Sequence, residues 1–302
     1  MSWRPAQDGD LAAIHDLLRR NVASSMFLLI NLRDHGLHGA EAKAMRLWVR
    51  GSGNGGVAGL TNDGTLLLQA AEASAADWHE LQQLVEQRLA ETSSQPQVGV
   101  LGETTQARRY LAATGLNQHP KRLDRDEPGL ALSLTDLELR SLDRPQLKGA
   151  TLHPLSAAPR PMLVQWRAAY HQEILGTPAT EAVAVASQDI DSYLLRDSHR
   201  VLNIAGRWVA MTGFNAQLPE VVQIGGVYTP PEQRGHGYAR CALALHLKEA
   251  HAAGVEQAVL FAAGEAAVRA YRAIGFQPIG GYSLILFDHT PQPAMAGGAS
   301  AS

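Results

Sequence analysis

The chain has 302 residues, 45% of them hydrophobic and 18% charged, so it is long enough for two domains of ordinary size and apolar enough to bury sizeable cores. Its 26 Lys and Arg against 29 Asp and Glu leave a formal charge of −3 and no basic run, which argues against nucleic acid or an anionic lipid surface as a partner. A single cysteine, Cys241, excludes an internal disulfide, and no cysteine/histidine cluster has metal-ligand spacing, so no metal is expected.

Met1-Ser2-Trp3-Arg4-Pro5 does not read as the start of a signal peptide, and the apolar stretch at 26–30 is too short to span a bilayer. No membrane segment and a cytoplasmic location are the expectations. Residues 3–6 followed by 8–14 read as an edge strand, a capped turn and an amphipathic helix. The glycine-rich run 51–56 precedes a strand at 57–60 and reads as a hairpin turn. The next strand, Thr65–Gln69, leads through 70–75 to a helix at 77–89, and that connection has no glycine pair and carries the acid Glu72. A strand at 98–103 and a short helix at 107–116 follow, with Gly115 near the end of the helix.

The same plan then recurs. Periodicity breaks between 137 and 151, around Arg140-Ser141-Leu142-Asp143-Arg144-Pro145, and residues 151–155 followed by a helix from about Pro161 repeat the opening. Thr177-Pro178-Ala179-Thr180-Glu181 reads as a loop capping a further helix, with Glu181 in its dipole-favoured first turn. A strand at 221–229 passes through a short proline-closed loop into a glycine turn and a helix at 238–253. An apolar run at 255–263, a short helix ending in Ile274-Gly275-Phe276 and a last strand at 282–287 complete the repeat. The tail from His289, rich in Pro, Ala, Gly and Ser, is expected to be disordered.

The glycine turn carries the most chemistry. A helix start leaves backbone N–H groups without partners and adds partial positive charge, and Gly235 and Gly237 let an anion approach them closely. A nucleotide P-loop needs a lysine followed by a hydroxyl, which is missing; a dinucleotide fingerprint needs a third glycine where Arg240 stands. Arg234-Gly235-His236-Gly237-Tyr238-Ala239 instead satisfies Arg/Gln-x-x-Gly-x-Gly/Ala at every defined position. Taken alone, Tyr271 shares helical spacing with Val268 and Ile274 and reads as a core aromatic whose hydroxyl needs a partner. Together, the glycine turn and the later Tyr271…Ile274-Gly275-Phe276 resemble the two signatures of the GNAT superfamily of acyl-CoA N-acyltransferases.

That resemblance implies two tandem α/β domains, each a mixed, mostly antiparallel sheet flanked by helices: a degenerate copy at 1–140, a catalytic copy at 150–288 and a tail at 289–302. Aligning Gly115 with Gly275 sets Leu111 opposite Tyr271, so the first copy lacks the tyrosine as well as the glycine turn. It further implies transfer of an acetyl group from acetyl-CoA to an amine by direct attack in a ternary complex. The pyrophosphate is expected on Arg234, Gly235, His236, Gly237, Tyr238, Ala239 and Arg240, and the pantetheine arm on the backbone of Val227, Tyr228 and Thr229. Tyr271 maps onto the superfamily's general acid.

The base is less well marked. A lysine-like amine costs roughly 4.6 kcal/mol to deprotonate at neutral pH and an α-amine about 1 kcal/mol, so the need for a base depends on the acceptor. The superfamily's glutamate position falls on Val221, which leaves Glu220 and Glu173 as base candidates, with His171 behind them and Gln223 able only to orient a water. Glu181, Asp189 and Asp191 are candidates for an amine-attracting rim. The expected acceptor is a small amine, an amino acid or a peptide; oligomeric state and acyl-chain preference are not fixed. A non-catalytic acyl-CoA sensor or scaffold is the alternative, and a dehydrogenase is third.

Overall fold

The computed structural model describes residues 2–92 and 96–289. The remainder of the tail expected to be disordered, 290–302, lies outside the described residues. Its first half runs β1 (Trp3–Pro5), α1 (Leu11–Arg20), α2 (Val22–His35), β2 (Met45–Arg50), β3 (Val57–Thr61), β4 (Thr65–Gln69), α3 (Ala75–Glu91), β5 (Gly99–Glu103), α4 (Thr104–Thr114) and β6 (Lys121–Ser133). The second runs β7 (Thr151–Pro154), α5 (Arg160–Leu175), α6 (Ala179–Arg196), β8 (His199–Ile204), β9 (Arg207–Gln217), β10 (Val221–Tyr228), α7 (Tyr238–Ala252), β11 (Gln257–Phe261), α8 (Glu265–Arg272) and β12 (Gln277–Phe287). Strands and helices thus follow one another in the same order in both halves.

All twelve strands form one sheet, ordered β1-β2-β3-β4-β5-β12-β6-β11-β10-β9-β8-β7. Its pairs are antiparallel except β4 with β5 and β10 with β11. The centre of the order holds a feature that the repeat alone does not disclose: the halves exchange their last strands. β6, made by the first half, pairs with β11 at Leu130↔Leu260, while β12, made by the second, pairs with β5 at Leu284↔Leu101. The two exchanged strands also pair with each other, from Lys121↔Phe287 to Ala131↔Gln277.

A boundary near 140–150 therefore follows the chain but not the sheet. Core packing ties the halves together on one face as well. Leu28 and Leu29 of α2 share a cluster with Ala216, Leu218, Val221 and Val259 of the second half. Fully burying one such leucine is worth about 2 kcal/mol, so the joint core opposes separation of the halves. On the other face, Leu130 and Leu132 of β6 pack beneath α7 and α8 with Leu243, Ile274 and Phe276. Alternation along β6 sends Arg125 and Glu127 to the face opposite Asp124 and Asp126, which pair with Arg108 of α4. Among the described residues, no helix is long and apolar enough to cross a membrane.

Candidate functional site

β10 and β11 pair only at Val221↔Gln257, Val222↔Ala258 and Gln223↔Val259, and then part. The cause is local. The register of β10 against β9 shifts after Gln223 and again between Gly225 and Tyr228, and Gly226 sits at φ +63°. A Cβ on Gly226 would stand 2.8 Å from Nε2 of the buried His199, so the bulge requires glycine there. Between the parted strands lies a cavity of about 520 Å³, walled by Ile224 to Thr229 on one side and Leu260 to Gly264 on the other. Glu173, Arg234 and Tyr271 line it too.

This cavity continues, through Thr229, Arg234, Ala239 and Ala270, into a second one of about 380 Å³ at the start of α7. Gly235 and Gly237 hold φ of +83° and +80° there, and the N–H groups of residues 235–240 find no hydrogen-bond acceptor among the described residues. Arg144, Arg234, Arg240 and Arg269 surround the same space. Burial, with Arg144 close by, pushes the Arg240 guanidinium below its ordinary pKa; its Nη2 donates to the Ser141 carbonyl at 3.2 Å and its Nε has no partner. The Thr229 hydroxyl is likewise buried and unpartnered. A row of free amides beside arginines suits a polyanion, and the slot behind it suits a narrow amide-bearing arm. An acyl-CoA has both parts, so the donor groups present fit it.

Among its described residues, the first half has no such opening. β4 and β5 stay paired through Leu68↔Gly102, and the Gln106 side chain accepts the Ala70 N–H at 2.5 Å. The start of α3 closes itself with a capping box: Ser74 accepts from the Asp77 N–H while Asp77 accepts from Ser74. Asp77 also pairs with Arg50 at 2.9 Å, leaving a negative group where an anion would have to bind.

Of the residues singled out from sequence, Val227, Tyr228, Thr229, Arg234 and Ala239 line the slot, and Gly235, Gly237, Tyr238 and Arg240 line the cavity at the helix start. His236 lines neither; it is exposed, its Nδ1 lies 3.2 Å from the Gln233 carbonyl, and its ring stacks on Tyr238. Tyr271 is buried against the slot, and its hydroxyl makes no hydrogen bond among the described residues. Burial, with Tyr170 and Glu127 nearby, keeps that phenol well above its ordinary pKa and so neutral.

The structure sets the base candidates in different places. Glu220 borders neither cavity: it precedes β10 by one residue and pairs with Arg19 of the first half. Val221 is buried against α2, because the strands part only after Gln223. Glu173 does line the slot, but Arg234 holds its carboxylate at 2.6 Å and the Tyr228 hydroxyl donates to it at 3.5 Å. That hydrogen bond to Glu173 also raises the pKa of Arg234. His171 is tied to Asp189 at 2.8 Å and to Thr177 at 3.2 Å. No acidic rim forms. Asp189 pairs with Arg167 at 2.6 Å, Asp191 with Arg160 at 2.8 Å, and Glu181 stays exposed in the first turn of α6.

A carboxylate that the sequence reading passed over stands close by. Glu127 of β6 is 8% exposed, has no hydrogen-bond or ion-pair partner among the described residues, and lines a cavity of about 150 Å³ at the junction of the halves. Burial raises its carboxyl from 4.5 to about 7, against the opposing charge of Arg125. This junction cavity meets the slot at Gly225, Gly226 and Phe261. Gln223 borders it as well, with its Oε1 buried and unpartnered. In the sequence, Glu127 sits in the charged run Asp124-Arg125-Asp126-Glu127, and the strand exchange brings it here. Among the described residues, no group of three or more His, Cys, Asp or Glu could hold a metal ion.

Parted parallel strands, a glycine turn opening a helix and a buried tyrosine come together in residues 221–276. Residues 160–276 match the family described as Acetyltransferase (GNAT) family. This region thus carries the GNAT-family match, which supports acyltransferase activity. Solved structures extend the likeness of fold to nearly the whole chain. A Drosophila protein aligns at TM-score 0.60 and 15% identity over 94% of this chain and 98% of its own. A GCN5-related N-acetyltransferase from Kribbella flavida aligns at TM-score 0.55 and 16% identity over 96% and 98%. A tandem GNAT protein from the clavulanic acid biosynthesis pathway, solved without acetyl-CoA, aligns at TM-score 0.53 and 15% identity over 94% and 97%. Comparison with curated proteins finds no match.

Proposed function

We propose that the protein transfers an acetyl group from acetyl-CoA to an amine, by direct attack within a ternary complex at the second half's site. The observation that carries this reading is the continuous path from the free amides at 235–240, through the gap between β10 and β11, to Tyr271. The amides and surrounding arginines hold the pyrophosphate, and the backbone of Val227 to Thr229 takes the pantetheine arm as an added strand does. The thioester carbon then lies near the bulge at Gly225 and Gly226.

Tyr271 acts on the leaving sulfur. An ordinary phenol near 10 facing a thiol near 8.5 already makes full proton transfer uphill by about 2 kcal/mol, and burial of Tyr271 increases that cost. Its part is therefore to donate a hydrogen bond to the departing thiolate rather than to lose its proton. The first half, with its slot closed and its helix start self-capped, holds no donor and serves to build the sheet and one wall of the site.

Thiol release from acetyl-CoA, measured with a panel of amines, amino acids and peptides from about pH 6 to 9, tests the reading. Acceptor-dependent release supports it. Saturable acetyl-CoA binding without release by any acceptor would convert the protein into a sensor of the same ligand.

A further inference from the structure

We propose that the junction cavity is the acceptor site, that Glu127 takes the acceptor's proton there, and that the acceptor is a small primary amine with an apolar body. The proposal rests on the acyl-transfer reading above. It begins from position: the junction cavity shares Gly225, Gly226 and Phe261 with the donor slot, so a molecule in it lies beside the place where the thioester would sit.

The polar inventory of the cavity selects its occupant. Glu127 and the Oε1 of Gln223 are both acceptors, and neither has a partner among the described residues. Burying such groups without partners is costly, and an ammonium supplies the missing donors to both. Arg167 also lines the cavity, but its Nε is given to Asp189 at 2.6 Å, whereas the Glu127 carboxylate makes no hydrogen bond or ion pair among the described residues and is free to take a proton from an ammonium. Phe27, Leu101, Phe261 and Leu284 give the cavity an apolar wall beside the side chains of Asn215, Tyr170 and Tyr282, and about 150 Å³ is space of the order that holds a benzene ring. A polyamine, a sugar or a peptide is larger than a benzene ring and exceeds that space.

Three of these contributions come from the first half: Phe27 on α2, Leu101 on β5 and Glu127 on the exchanged strand β6. The half without a donor site thus completes the acceptor site. Within reach of Glu127 stand Arg125 on its own strand, Arg167 and Tyr170 on α5, Tyr282 on β12 and Tyr271 on α8. Burial keeps Tyr170, Tyr271 and Tyr282 protonated, and it lifts the Glu127 carboxyl toward neutrality.

The step balances. The ammonium gives one proton to the Glu127 carboxylate, and the freed lone pair attacks the thioester carbonyl. The C–N bond forms, the C–S bond breaks, and the second amine proton ends on the sulfur of coenzyme A. Glu127 then returns its proton to water.

The test compares wild type with Glu127→Gln in thiol release, using benzylamine and isoamylamine against spermidine, glucosamine and a lysine-containing peptide. The expected kcat/KM for benzylamine exceeds those of the last three by about tenfold or more, rises as pH approaches about 7 and then levels off. In Glu127→Gln it climbs about tenfold per pH unit toward the amine's own titration, because only the free amine reacts, while calorimetric acetyl-CoA binding is unchanged. Leu101→Trp, which fills the cavity from the other wall, is expected to raise KM for benzylamine about tenfold and leave KM for acetyl-CoA alone. A wild-type profile in Glu127→Gln, or preference for the peptide or spermidine, overturns the proposal and leaves acyl transfer standing. Absence of release with every acceptor removes both.

Discussion

A carboxyl held neutral by burial leaves a signature in stability that does not depend on catalysis. In Glu127→Gln the side chain keeps its shape and cannot ionise, so the variant isolates the cost of charging this site. The native carboxyl titrates near about 7 and the unfolded one near 4.5. Between those values the native state holds a proton that the unfolded state has released, so stability falls as pH rises through the window. Below about 4.5 both states are protonated and there is no loss; above about 7 the loss is complete, at about 3 kcal/mol. About 2.5 kcal/mol of it falls between pH 5 and 8.5. Urea unfolding of both proteins across that range measures the difference, because the remaining titrating groups are shared. Glu127→Gln is expected to gain on wild type by that amount toward alkaline pH. A difference that stays flat within about 0.5 kcal/mol would refute the reasoning, since it would mean that the carboxyl is solvated or paired.

Tyr271→Phe is expected to lower kcat by about tenfold or more in steady-state thiol release, with acetyl-CoA affinity nearly kept, because the phenyl ring retains the packing and loses only the donated hydrogen bond. Glu220→Gln is expected to leave kcat within about twofold; its carboxylate pairs with Arg19 at an exposed surface, where such pairs contribute less than about 1 kcal/mol.

Much of the proposed donor site was legible in the sequence because it is made by neighbours in the chain. Gly235 and Gly237 are needed at positive φ whatever surrounds them, and the helix after them supplies its own free amides. The order of elements was legible for a similar reason: apolar periodicity and the punctuating glycines at 115 and 275, both at positive φ, are local signals. The proposed acceptor side was not legible. Counting back to Val221 located the right strand, but that residue faces the core shared with α2, since the strands part only at Ile224. Glu127 belongs to a charged run that has no helical or strand period of its own, and its burial depends on a strand from the other half lying beside it at Tyr282. Arg144 and Arg269 reach the anion cradle from a connecting segment and from α8, neither marked by the glycine motif.

Titration of acetyl-CoA into the folded protein, followed by calorimetry, tests the central claim most directly. One site per chain is expected, and Gly237→Val should weaken it by about fiftyfold or more, because a β-branched residue cannot hold φ of +80° and its side chain would occupy the anion's approach. Two equivalent sites, no binding, or unchanged binding in a Gly237→Val variant with a native unfolding midpoint would contradict the account.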